Sequence, residues 1–289
     1  MTEPAARLQT IAPDARLLRP GRTVRPVGVG LFLGLVAVTL GLGLLFLRPG
    51  PVDWQRMGGL LLVGTVSLAA ANFCHAALTR SVRDALLLFL VAFGAALAVE
   101  YAGVRWGVPF GERYRYGRAL RPQLLGEVPL FIPLAWFVLS YSPLVFLRGL
   151  FREAGGGRGG WRLGVKAALC ALGLVAQDLM LEPLAVSAGA WTWERAGPYF
   201  GTPWLNFPGW FAVGLVIYGG YFLLGGGRAD RHAQRGRFLD AAYVASSVVF
   251  VTLGLTAAVA RTASPLPAVV TLAGIIPFWL LWLVTFRRA

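Results

Sequence analysis

Eight stretches of mostly apolar residues follow one another along the chain, near 27–47, 57–78, 84–104, 128–150, 163–187, 208–225, 239–260 and 264–286. Each approaches or exceeds the roughly 20 residues that carry a helix across a bilayer. Polar residues collect between them in short connections rather than alternating with the apolar ones, so the period is that of membrane helices and not of half-buried strands. The pattern predicts an all-α, polytopic helix bundle with about eight transmembrane helices. Residues 1–26 precede the first run as a basic tail holding Arg7, Arg16, Arg19, Arg22 and Arg25. The run that follows is too long for a signal h-region and lacks a small-x-small cleavage site, so it reads as an uncleaved first helix. Residues 27–289 then form a single transmembrane catalytic domain.

Composition agrees. Of 289 residues, 57% are hydrophobic and 14% charged, and the mean hydropathy is +0.65, against about a quarter charged in ordinary soluble domains. The net charge of +14 would raise nucleic acid as a partner, but the basic residues are scattered singly between apolar runs and form no dense patch. They read instead as a topology signal. With both termini cytoplasmic, the inner segments hold 18 of the 27 basic residues and the outer segments nine, in keeping with the positive-inside rule. The exception is the 105–127 connection, which is basic although it falls outside; it reads as a loop folded back over the protein and kept for function.

Several chemistries have no foothold. Cys74 and Cys170 are distant and each sits in an apolar run, and His75 and His232 are the only histidines, so no redox pair, zinc site or haem centre is expected. Lys166 is the sole lysine, which argues against a Schiff-base enzyme. The run Gly155-Gly156-Gly157-Arg158-Gly159-Gly160 lacks the GK[ST] of a phosphate loop and reads as a flexible inner connection. Gly28-x-Gly30 and Gly41-x-Gly43 fall inside the first helix, where small residues permit close packing. No cofactor and no metal is expected.

Ionisable groups inside spans are costly, about 2.5–3.5 kcal/mol each on insertion scales, and are functional suspects by default. Three of the 13 acidic residues qualify: Glu100 near the outer end of the third run, and Asp178 and Glu182 in the outer half of the fifth. The i,i+4 spacing sets Asp178 and Glu182 on one helix face, one turn apart. Like charges there repel unless one holds a proton, and a proton shared in an apolar cavity makes a general acid. Pro183 disfavours helical geometry at Glu182 and frees backbone groups in the turn before it. The plainer alternative pairs these acids with arginines such as Arg105 and Arg113 to tie helices together.

Above the acids the outer connections are dense in aromatics. Trp106 to Tyr116 carries Phe110, Tyr114 and Tyr116; Val128-Pro129 leads to Trp136; and Trp191-Thr192-Trp193 runs on through Tyr199, Trp204 and Asn206 to Trp210. An interfacial belt would be roughly symmetric about the membrane. These residues lie on one side, interleaved with Gly and Pro that build tight turns. They predict a structured roof whose ring faces stabilise a cation formed beneath.

The segments Phe110–Tyr116, Val128–Trp136, Asp178–Pro183 and Gly189–Trp210 resemble the membrane carotenoid hydratase family, which includes carotenoid 1,2-hydratases and bisanhydrobacterioruberin hydratases. The likeness is strongest over about 95–215, and its most specific part is the run Trp-x-Trp…Gly-Pro-Tyr-Phe-Gly-x-Pro-x-x-Asn-Phe-x-Gly-Trp. The resemblance implies addition of water across the terminal C1,C2 double bond of an acyclic carotenoid end, giving a tertiary alcohol. The residue roles rest on physical argument. Asp178 is the general acid, Glu182 tunes its proton or orients the water, and Glu100 is the water-activating base or proton relay. Trp191, Trp193, Tyr199, Trp210 and Trp136 line the end-group pocket, Tyr114 and Tyr116 form its lid, and Asn206 bonds the water or the product hydroxyl. The substrate comes from the bilayer of a bacterial or archaeal cytoplasmic membrane; membrane lipids and other carotenoid enzymes are the remaining partners, and nucleic acid is not one.

Rival readings share parts of this pattern. Asp178-x-x-x-Glu182 is similar to the acidic pairs with which membrane prenyltransferases hold Mg-diphosphate, although a second acidic motif is not evident. A proton-initiated carotenoid cyclase shares the acid and the cation but excludes water. A proton-coupled transporter relays protons through intramembrane carboxylates, but no repeat halves are visible. A pathway scaffold needs none of these acids.

Overall fold

The computed structural model describes residues 26–45, 54–153, 160–227 and 237–288. The basic tail before residue 26 and most of the 155–160 glycine run lie outside them. The helices are α1 (Pro26–Leu45), α2 (Trp54–Thr79), α3 (Val82–Trp106), α4 (Phe131–Phe146), α5 (Arg148–Glu153), α6 (Gly160–Ala188), α7 (Asn206–Leu223), α8 (Arg237–Thr262) and α9 (Leu266–Arg288). They form an up-and-down bundle, with α6 at its centre against α4, α7, α8 and α9.

Among the described residues, six helices are long and apolar enough to cross a membrane: α1, α2, α3, α6, α8 and α9. The predicted fourth span differs. The chain is strand at Val128–Pro129, helical from Phe131, and interrupted at Leu147 before α5. At 1.5 Å per residue, the 16 residues of α4 reach about 24 Å, short of a hydrocarbon core of about 30 Å. The sixth apolar run folds as α7, which has 18 residues and begins at Asn206. All eight runs are helical, and two of them are short.

Sequence explains where α3 starts, which face it buries and where it stops. Ser81 caps its N-terminus by accepting from the Asp84 N–H at 3.0 Å. Its buried residues, Ala85, Leu88, Ala92, Ala96, Glu100 and Gly103, recur every three or four positions, a single stripe on one helical face. Glu100 therefore projects into the bundle near the upper end. Gly107 ends the helix in the left-handed conformation at φ 75°, which glycine adopts without strain. Large apolar side chains on outward faces, such as Leu86, Leu90, Val216 and Leu280, are exposed, as befits a surface whose solvent is lipid.

The helix α6 runs unbroken through Pro183 to Ala188, against the expectation of distorted geometry at Glu182. Proline removes the hydrogen bond to the carbonyl four residues back, here Leu179. That carbonyl instead accepts the Tyr199 hydroxyl at 2.8 Å, so the helix continues with no orphaned acceptor.

The connections at one end of the bundle contain the only named strands among the described residues. Strand β1 (Tyr114–Tyr116) pairs antiparallel with β4 (Trp191–Trp193), and β2 (Gln123–Leu124) with β3 (Val128–Pro129). In the first ribbon Tyr114 opposes Trp193 and Tyr116 opposes Trp191, while Arg115 opposes Thr192. The period of two turns the aromatic pairs inward and leaves Arg115 and Thr192 exposed. This ribbon is the roof.

Candidate active site

A cavity of about 270 Å³ lies directly under the ribbon. Its walls come from α1, α2, α4, α6 and α8, with Gly43, Gly64 and Gly254 among them, and its ceiling from Tyr114, Tyr116, Trp191 and Trp193. Two carboxyl groups face into it, those of Glu100 and Glu182.

Glu100 is buried at the end of the α3 stripe and held by three neutral donors. The Tyr114 hydroxyl donates to its Oε2 at 2.5 Å, the Tyr116 hydroxyl donates to the same oxygen, and the Trp136 indole donates to Oε1 at 2.6 Å. Burial first, and then the Glu100 charge, hold both phenols well above their ordinary range, so they serve as protonated donors. Tyr114 reaches Glu100 because Gly103 lies one turn on. A Cβ at Gly103 would stand 2.6 Å from the Tyr114 oxygen.

Glu182 is bound differently. The indoles of Trp191 and Trp193 (3.2 and 3.3 Å) and the Thr202 hydroxyl (2.9 Å) all donate to Oε2. One carboxyl oxygen is thus fixed from the roof, and Oε1 keeps its capacity for a ligand. Thr202 is wholly buried. It sits in the tight turn where Gly197 bridges Gly201 and Tyr199 bridges Thr202.

Asp178, also wholly buried, stands one layer behind. Its Oδ2 accepts from the Asn206 amide at 2.7 Å and its Oδ1 has no partner. Asn206 occupies the first turn of α7 and lines the cavity, whereas Asp178 does not. Trp136 and Trp210 stack at 4.0 Å with their planes 18° apart, and both line the cavity.

Nine of the eleven residues expected at the site therefore meet around one space: Glu100, Tyr114, Tyr116, Trp136, Glu182, Trp191, Trp193, Asn206 and Trp210. The structure sets Asp178 behind Asn206, and Tyr199 on the backbone of α6, where burial and the Asp178 charge push its hydroxyl up to about 12. Thr202 and Gly103 were missed. The Gly-Thr-Pro turn and a small residue one turn from a buried acid are the marks they leave in the sequence.

The arginines near the roof do not reach these acids. Arg113 pairs with Glu194 (2.9 Å), Arg195 with Glu112 (2.7 Å) and Arg105 with Glu127 (2.9 Å), all between exposed or half-buried groups, where an ion pair contributes about 0–1 kcal/mol. The first two pairs lace the basic 105–127 connection to the 189–205 connection, and the third ties the two ends of the 105–127 stretch together. The alternative in which Arg105 and Arg113 neutralise the buried acids is thus not the arrangement found.

A family model described as "Carotenoid biosynthesis protein" matches residues 58–277. A bisanhydrobacterioruberin hydratase from Haloarcula japonica is 33% identical over 155 residues, 54% of this chain and 49% of that protein; the match thus spans about half the length of the curated relative. No solved structure matches the chain.

Proposed function

The chain belongs to the carotenoid biosynthesis protein family, and from that membership we propose that it is a carotenoid hydratase. It adds water to the terminal C1,C2 double bond of an acyclic carotenoid end. The observation that carries this reading is the cavity itself, where two carboxyl groups, dressed only by neutral donors, face an apolar, aromatic-lined space.

The volume supports an end-group substrate. About 270 Å³ falls just below the range of about 300–1,000 Å³ that holds a whole drug-sized ligand. A carotenoid is about as long as a bilayer is thick, so one end enters and the rest stays among lipid tails. Hydration of a trisubstituted alkene begins with a proton on the less substituted carbon, which leaves a tertiary cation. Glu182 is the residue best placed to give that proton, from the oxygen the roof leaves unbound. This moves the acid role expected of Asp178 one turn along α6, and Asp178 with Asn206 becomes the support that positions Glu182 and the water. The ring faces of Trp191, Trp193 and Trp210 stabilise the cation. Glu100, fixed by Tyr114, Tyr116 and Trp136, takes the proton that water loses as its oxygen joins C1. Proton exchange between the two carboxyls through the cavity then resets the site.

The basic-residue count supports an orientation with both termini cytoplasmic and the roof on the outer face of a bacterial or archaeal cytoplasmic membrane. The test is turnover in isotope-labelled water carrying heavy oxygen. Membranes holding the full chain and given an acyclic-ended carotenoid should yield a product with one labelled oxygen per reacted end. A product of unchanged mass would point to cyclisation, and flux across vesicles without any new product to transport.

A further inference from the structure

A second, smaller cavity of about 60 Å³ adjoins the first deeper in the bundle. The two share Thr39, Leu68, Val138, Leu139 and Phe250 in their walls, and the second has polar side chains of its own. Asn72, Ser142, Gln177, Tyr243, Ser247 and Trp279 bring polar groups to it. Asn72 is wholly buried; its amide donates to the Val138 carbonyl at 3.1 Å while its Oδ1 has no partner, and neither has the Trp279 indole N–H. A buried acceptor left unpaired costs about 1–3 kcal/mol, and a bridging water removes that cost. A space of 60 Å³ takes about two waters at their liquid volume.

The polar lining continues along one helix. On α2, Leu61, Leu68, Asn72, His75 and Thr79 stand three, four or seven residues apart, a single face. Leu61 and Leu68 border the roofed cavity, and Leu68 and Asn72 the small one. Below them His75 Nδ1 meets the Tyr141 hydroxyl at 2.7 Å, His75 Nε2 lies 3.4 Å from Asp240, and Arg148 donates to Thr79 at 3.0 Å. The same face thus joins the charged end of the bundle to the candidate active site.

We propose that the small cavity is an internal water store that feeds the addition step from the end opposite the roof, with Asn72 positioning the water. The proposal rests on the hydratase reading and supplies what that reading needs. One water is consumed per turnover: its oxygen forms the bond to C1, and one of its protons goes to a carboxylate, replacing the proton given to C2. The roof offers a poorer route, because it is closed by aromatic pairs.

Radiolytic hydroxyl-radical labelling of the full chain in a lipid nanodisc tests the water directly, since radicals formed from bound water oxidise the side chains beside it. Tyr243 lines the small cavity, while Tyr218, which is also buried, lines neither. Tyr243 should be oxidised at least several-fold faster than Tyr218. Asn72→Leu should remove most of that difference and leave labelling of the exposed Trp161 unchanged. In turnover, Asn72→Leu should lower kcat about tenfold with little change in KM for the carotenoid. Equal labelling of the two tyrosines, or labelling of Tyr243 that survives Asn72→Leu, overturns the store. Lost labelling with normal turnover overturns its role in supply. Labelling needs no chemistry, so a labelled cavity in a protein that adds no water would sink the hydratase reading and leave the store standing.

Discussion

At the end opposite the roof, Asp240 takes two hydrogen bonds from Arg148, at 2.6 and 2.9 Å, with His75 alongside. At the roofed end Glu100, Asp178 and Glu182 are as deeply buried and receive only the neutral donors of Tyr, Trp, Thr and Asn. The cations within reach of the roof are drawn to the surface by Glu112, Glu127 and Glu194. The difference separates two uses of the same residue types. An acid matched by a guanidinium ties α8 to the α4–α5 corner, and its charge is spent in the tie. An acid held by dipoles keeps its proton chemistry, provided the protein has an aromatic cavity in which to use it.

The largest effects should come from exchanging these roles. Glu182→Gln keeps an oxygen for the roof donors and removes the transferable proton, so turnover should fall by about 10²–10⁴-fold with the thermal midpoint nearly unchanged. Arg148→Leu takes the guanidinium from Asp240 and should cost about 3–5 kcal/mol of stability, while the molecules still folded turn over normally. Glu182→Gln protein that unfolds, or Arg148→Leu protein that is stable but inactive, would break the comparison.

A second test concerns how Glu100 is held. Gly103→Val puts atoms where the Tyr114 hydroxyl lies, and overpacking of this kind costs about 1–3 kcal/mol. Beyond that loss, kcat should fall because Glu100 loses a donor, and Gly103→Ala should lie between Val and wild type. A variant that loses stability but no kcat would make the Tyr114–Glu100 contact merely structural.

The smallest effect sharpens the account of Tyr199. Tyr199→Phe leaves the Leu179 carbonyl without its donor, at a cost of about 1–3 kcal/mol, and should leave KM for the carotenoid within about twofold. A large rise in KM with no loss of stability would return Tyr199 to the substrate pocket.

The helices and the three acids were legible because both depend on simple periodicity. Apolar runs gave the element positions to within a few residues, and the acids stood out as ionisable groups inside those runs. The division of labour between Asp178 and Glu182 was not legible. Four residues at about 100° each leave an offset of about 40° around the axis, enough to turn Glu182 to the cavity and Asp178 towards Asn206. Nor does sequence tell that α6 continues unbroken through Pro183, because the remedy, the Tyr199 hydroxyl, lies 20 residues away from Leu179. The ribbon in the roof escaped because strands of three residues are too short to show a period. Thr202 looks like any turn threonine until the fold brings Glu182 to it.

The most direct test of the central claim is pigment mass analysis in a host that makes an acyclic carotenoid, expressing either the wild-type chain or Glu182→Gln at equal membrane levels. The account predicts that wild type converts the pigment to species heavier by one water per reacted end, and that Glu182→Gln leaves it unchanged. Hydrated pigment in equal amount from both, or pigment of unchanged mass from wild type, would contradict it.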